Sequence, residues 1–119
     1  MWALTDPERL SARARTAIEA PSNALFVSAA TAWEMAVKHR AGTWPEAEIL
    51  LTQHADLVSR LGAKSLDISA IDAVRAGSLD WHHADPFDRM LAAQSLLHQA
   101  SLLTRDAAFG DLRGLSVIW

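Results

Sequence analysis

The sequence predicts an α/β layered domain with a largely parallel central sheet. Three observations carry that expectation. Short apolar, partly β-branched runs at residues 25–28 and 101–104 read as buried strands. Helix-period segments alternate with them, opened by Asp-Pro or Ser and closed by Gly. The 119 residues, half of them hydrophobic, suffice for one domain over 1–119 with a single core and are too few for two.

Asp6-Pro7 reads as a helix cap followed by proline at the first helical position, with the helix running over residues 8–19 until Pro21. After the turn at Ser22-Asn23 comes the strand at 25–28. A helix over about 30–41 follows, with Trp33, Ala36 and Val37 on its buried stripe and Gly42 as its C-terminal cap. Pro45 opens the next helix, which carries Ile49, Leu50, Leu57, Val58 and Leu61 and ends at Gly62. Residues 64–68 read as an edge strand, and Ser69 as the cap of a short helix to Ala76. Residues 79–84 read as loop. Asp85-Pro86 then starts a helix whose Phe87, Met90, Leu91 and Leu97 recur at helical spacing. Strands at 101–104 and 115–119 complete the alternation, and a sheet fed by such crossovers is parallel.

A net charge of −3 and a pI of about 5.9 argue against a protein that grips nucleic acid mainly through a basic surface. They leave room for a nuclease, whose acids need a negative pocket to hold cations. The absence of cysteine rules out disulfides and cysteine-bound zinc and suits a reducing compartment. With no basic, apolar leader at 1–6 and no run long enough to span a bilayer, the expected location is cytoplasmic.

Three acids stand at element ends or beside a buried stripe. Asp88 has two readings. In Asp85-Pro86-Phe87-Asp88 it is either an ordinary first-turn acid favoured by the helix dipole or a metal-facing carboxylate. Asp106 follows the strand at 101–104 at its carboxyl end, where open parallel sheets place ligands; its plainer role is a turn residue. Glu34 is spaced for an i,i+4 pair with Lys38, yet it borders Trp33 and Val37. Oxygen ligands of this kind suit Mg²⁺ or Mn²⁺ and phosphodiester hydrolysis. His82 and His83 lack a third nitrogen or sulfur ligand, so a loop role or substrate contact suits them better than zinc. His39, His54 and His98 read as isolated surface helix residues. Neither a glycine-rich phosphate loop, a Gly-x-Ser-x-Gly elbow nor a His-Glu-x-x-His helix occurs.

Three separated blocks together resemble a PIN-domain protein, close to the VapC-type toxins of type II toxin–antitoxin systems. They are Ser28-Ala29-Ala30-Thr31-Ala32-Trp33-Glu34-Met35-Ala36-Val37-Lys38-His39, then His82-His83-Ala84-Asp85-Pro86-Phe87-Asp88-Arg89-Met90-Leu91-Ala92-Ala93-Gln94, then Leu103-Thr104-Arg105-Asp106-Ala107-Ala108-Phe109. Trp2-Ala3-Leu4-Thr5-Asp6-Pro7-Glu8-Arg9-Leu10-Ser11 resembles the family's first helix region. The resemblance implies a three-layer α/β fold and a metal-dependent ribonuclease whose acids bind Mg²⁺ or Mn²⁺. It assigns the catalytic and metal-binding roles to Glu34, Asp88 and Asp106. It adds Thr104 as a hydroxyl near the metal, and Arg105 and Arg89 as phosphate contacts or supports of the acids. It further implies an RNA substrate, a cognate antitoxin protein and a homodimer, with no membrane.

The family normally begins with an apolar strand ending in an Asp-Thr-His-like segment, which supplies a first metal-binding Asp. This sequence starts just after that point, so the resemblance leads to the expectation of an N-terminally truncated domain, one strand and one acid short. Asp6 is no substitute, since it matches the later Asp-Pro position. Loss of a central strand is expected to make the chain fragile, against total stabilities of only about 5–15 kcal/mol. The alternative function is a catalytically impaired module that still binds an antitoxin. A flavodoxin-like regulatory domain has little support, since no receiver-type Asp–Lys arrangement stands out.

Overall fold

The computed structural model describes residues 6–119, so the expectations that fall on residues 1–5 lie outside the described residues. A 3₁₀ turn at Pro7–Arg9 precedes α1 (Ala12–Glu19), and the chain continues through β1 (Phe26–Ser28), α2 (Ala29–Arg40), α3 (Ala47–Thr52) and α4 (His54–Arg60). There follow β2 (Lys64–Leu66), α5 (Ala70–Ser78), α6 (Pro86–Leu97), β3 (Leu102–Leu103), a 3₁₀ turn at Ala107–Asp111, and β4 (Val117–Ile118).

Two of the expected helices are each divided in two. The segment at 8–19 breaks because the Ser11 hydroxyl accepts the backbone N–H of Ala14 and caps a new helix there. The segment after Pro45 breaks at Gln53, whose backbone (φ −113°, ψ 19°) leaves the helical basin between α3 and α4. Helix ends follow the sequence more closely. Gly42 and Gly62 take positive φ (71° and 68°) just past α2 and α4, where a side chain would be strained. Past α6 that left-handed position falls instead on Gln99 (φ 52°).

The buried face of α2 differs from the expected stripe. Trp33 is 55% exposed and Val37 38%, while Ala30 and Met35 are fully buried. The helix rests on α3, β1 and α6 through its small residues and Met35, and Trp33 is left at the rim, edge-on to Phe87 at 4.8 Å. His39 and His54, expected at the surface, each have a buried Nδ1.

All strand pairing described is parallel, as expected, but it forms two separate pairs. In one, β1 lies on β2 with Phe26, Val27 and Ser28 opposite Lys64, Ser65 and Leu66. In the other, β3 lies on β4 with Leu102 and Leu103 opposite Val117 and Ile118. The main core sits where α5 packs along α6: Ala76, Leu79, Ala92, Ala93, Phe109 and Leu112, with Trp81, Met90 and Leu96 against them. The alanines on α6 let the helices approach closely, so α6 serves as the platform for the functional face. No helix among the described residues is long and apolar enough to cross a membrane.

Candidate functional site

The start of α6 assigns its two acids to different tasks. Asp85 is the cap: its Oδ1 accepts the backbone N–H of Phe87 (2.8 Å) and of Asp88 (3.1 Å), and Pro86 takes the position that needs no donor. Asp88 is thereby released from capping. Its Oδ2 lies 2.6 Å from Nε2 of His83, and its side chain is only 24% exposed. Burial pushes the Asp88 carboxyl above the usual carboxylate range, against the His83 hydrogen bond, and the negative charges of Asp85 and Glu34 push it the same way as burial.

Glu34 reaches this neighbourhood from α2. Ser28 ends β1 and caps α2 by accepting the Ala30 N–H, while its hydroxyl donates to Oε1 of buried Gln94 on α6 (2.6 Å). Gln94 Nε2 in turn donates to the Asp67 carbonyl beyond β2 (3.0 Å). This bridge and the Trp33–Phe87 contact hold α2 against α6 on either side of Glu34 and Asp88. The Lys38 ammonium donates to Glu34 at 2.5 Å, so the i,i+4 pair forms although the Glu34 side chain is largely buried. That bond raises the Lys38 pKa, and Asp85 and Asp88 contribute in the same direction; all four charges share one field.

Asp106 comes from the other pair of strands. It caps the turn at 107–111 by accepting the Ala108 N–H (2.9 Å), and its own N–H donates to Thr104 Oγ1 (3.1 Å). Glu34, Asp88, Thr104, Arg105 and Asp106 all line one cavity of about 630 Å³ that opens between the two strand pairs. The structure therefore brings the three acids to a common space. It does not gather them into a ready cluster: among the described residues no three His, Cys, Asp or Glu side chains are grouped to hold a metal ion.

Arg89 faces elsewhere. Its guanidinium donates to the carbonyls of Ala76, Gly77, Leu79, Trp81 and His83, closing the end of α5 and fixing the loop that leads to Asp85. His82 is exposed and His83 half-buried, with the His83 ring stacked on Trp81 at 4.5 Å. Sequence reasoning left His83 as a loop residue and did not single out Ser28 or Gln94. The first had a visible signal, a histidine five residues before the acid; the other two meet across 66 positions and had none.

The donors present are all oxygens, which suits a hard divalent cation. Glu34 and Asp88 repel one another in a partly desolvated space, and a cation there relieves both the repulsion and the raised Asp88 pKa. The chemistry of the acid set fits such an ion as an incomplete ligand set. A family model described as PIN domain matches residues 1–115. Among curated proteins, none matches the chain.

Proposed function

Because the chain belongs to the PIN-domain family, whose members are generally metal-dependent nucleases acting on nucleic acid, we propose that it is an endoribonuclease of the VapC-toxin type. The observation that carries this is the convergence of Glu34, Asp88 and Asp106 on one cavity from three different elements. In this reading Glu34, Asp88 and Asp106, with the Thr104 hydroxyl, are the residues that would hold a Mg²⁺ or Mn²⁺ ion. When bound, such an ion would supply a water-activating, charge-offsetting centre for phosphodiester hydrolysis. Lys38 balances Glu34 until then, Arg105 meets the RNA phosphate, and the half-buried setting of Asp88 keeps bulk water from competing for its oxygens.

The division of the sheet supports one further element of the reading. Among the described residues β1 pairs only with β2 and β3 only with β4, and the cavity between is walled by Phe26, Val27, Leu102 and Leu103. We propose that this slot receives another parallel strand, carrying an Asp at its carboxyl end. Such a strand would join the two pairs into the central layer of one three-layer domain that takes in residues 1–119, and would bring a further acid to the cavity. As a toxin of this type, the protein acts in the cytoplasm as a homodimer restrained by an antitoxin protein.

The test is cleavage of RNA by the purified protein with Mg²⁺, with EDTA, and with Asp88→Asn. Cleavage that needs the metal and disappears in the variant supports the nuclease. Metal-independent cleavage, or full activity in Asp88→Asn, overturns it; a chain that binds antitoxin but neither metal nor RNA is the impaired binding module instead.

A further inference from the structure

Asp88 is held from behind by a chain of contacts that no metal-binding role requires. The Nε2 of His83 meets Asp88 Oδ2 at 2.6 Å. The His83 ring is stacked on Trp81 with an interplanar angle of 27°, and Trp81 packs on buried Phe109 at 5.5 Å. The backbone under the ring is fixed as well. Arg89 Nη1 donates to the carbonyls of both Trp81 (2.8 Å) and His83 (3.0 Å), and Nη2 and Nε hold Leu79, Gly77 and Ala76. Imidazole and carboxylate are thus both anchored to α6, the one through Arg89 and the other directly.

A flexible carboxylate loses rotamer entropy when it takes up a cation, and a hydrogen bond to one oxygen removes that freedom beforehand. We propose that His83 is a positioning residue for Asp88: clamped between Trp81 and the Arg89-bound loop, it fixes Oδ2 and presents Oδ1 to the cavity that Asp88 lines. This rests on the reading of Asp88 as a metal-facing acid. With Asp88 ionised, the Nε2–H donates, so the neutral ring carries its proton on Nε2.

Two variants separate positioning from packing. His83→Phe keeps a ring against Trp81 and loses the donor. His83→Gln loses the ring and keeps an N–H at similar reach. Calorimetric titration of the full chain with Mn²⁺ is expected to show affinity about tenfold or more lower in His83→Phe, with a thermal midpoint close to that of the wild type, and recovery of most of the affinity in His83→Gln. A second readout needs no metal: long-range ¹H–¹⁵N NMR at pH 8 is expected to show His83 protonated at Nε2, and to lose that preference in Asp88→Ala. Wild-type Mn²⁺ affinity in His83→Phe, or equal losses in both His83 variants, overturns the proposal. So does an Nδ1-protonated ring in a wild-type chain that binds Mn²⁺, which leaves the nuclease reading intact. A chain that shows the Nε2 tautomer but binds no Mn²⁺ overturns the metal reading of the site, and the positioning role with it.

Discussion

The Ser28 hydroxyl donates to Oε1 of Gln94 at 2.6 Å across 66 positions of sequence, at the point where β1 hands over to α2. Ser28 is at once the last strand residue, the helix cap and the bridge to α6, so the register of Glu34 relative to Asp88 depends on it. Gln94 completes the link by donating to the Asp67 carbonyl.

Replacing Gln94 with Leu keeps its volume and removes its bonds to Ser28 and to the Asp67 carbonyl, along with the one it makes to the Asp72 carboxylate. The Ser28 hydroxyl then keeps only the Ala30 N–H and has no acceptor, and the Asp67 carbonyl loses its donor, at a cost of roughly 1–3 kcal/mol. Urea unfolding of Gln94→Leu measures that loss. Ser28→Ala, which removes one bond and the α2 cap, is expected to cost about 1–2 kcal/mol. Equal stability of either variant and the wild type contradicts the bridging role.

How much of this was legible depended on the range of the interaction. The Asp85 cap, the Ser69 cap and the glycine stops at 42 and 62 are local chemistry, and the residues announce them. The break at Gln53 and the outward position of Trp33 are set by what α2, α3 and α4 pack against, which no window of residues contains. The acids show the same division: Asp88 and Asp106 were visible at element ends and Glu34 beside a buried stripe, whereas the His83–Asp88 bond and the sharing of one cavity arise only once α2, α6 and β3 are assembled.

Arg89 tests how the loop before α6 is held. Arg89→Met leaves five backbone carbonyls without their charged donor. Several of them are partly buried, so a loss of about 3 kcal/mol or more is expected. Arg89→Lys keeps the charge but not the fork, and recovers only part of the loss. Hydrogen exchange checks the locality of the effect: protection is expected to fall first at residues 76–83 and the start of α6, and uniform loss over the chain counts against it.

The acid limb of the stability curve is expected to belong largely to Asp72. This buried carboxylate accepts the Ser69 N–H (2.7 Å) and hydroxyl (2.8 Å), and those bonds, with Gln94 and His98, hold its pKa below the ordinary 3.8. A depressed folded-state pKa gives stability that is present above about pH 4 and lost as pH falls through the lower folded value. Asp72→Asn is therefore expected to be less stable than the wild type at pH 7 and to converge with it toward pH 2. Thermal melts between pH 2 and 7 read the difference, and parallel curves refute the assignment.

Asp88 has the opposite sign. Its folded pKa is raised, so its favourable contribution is present below the unfolded value and lost as pH rises through the folded one; ionised at pH 7, it weighs against the fold. Asp88→Asn, which can still accept from His83, is expected to melt at least as high as the wild type at pH 7 while losing metal-dependent cleavage. The gap in melting temperature is expected to close on acidification. A variant that loses both activity and stability shows that Asp88 is a structural acid.

The slot between the strand pairs makes the last prediction. Among the described residues the two short parallel pairs are separate, and one cavity, lined by Phe26, Val27, Leu102 and Leu103 as well as by the acids, lies between them. An inserted strand satisfies ladder groups on both sides at once and buries Phe26, now 50% exposed, and Leu103, now 37% exposed. The slot is expected to accept an apolar strand ending in Asp joined ahead of residue 1 in an extended chain. Adding those residues is expected to raise both the thermal midpoint and the Mn²⁺ affinity, and changing the added Asp to Asn should remove the gain in affinity while keeping the gain in stability. That split distinguishes the two roles of the strand, because ladder pairing uses its backbone and metal binding uses one side chain. An added strand that moves neither quantity removes the slot from the account of the site and leaves it to Glu34, Asp88 and Asp106.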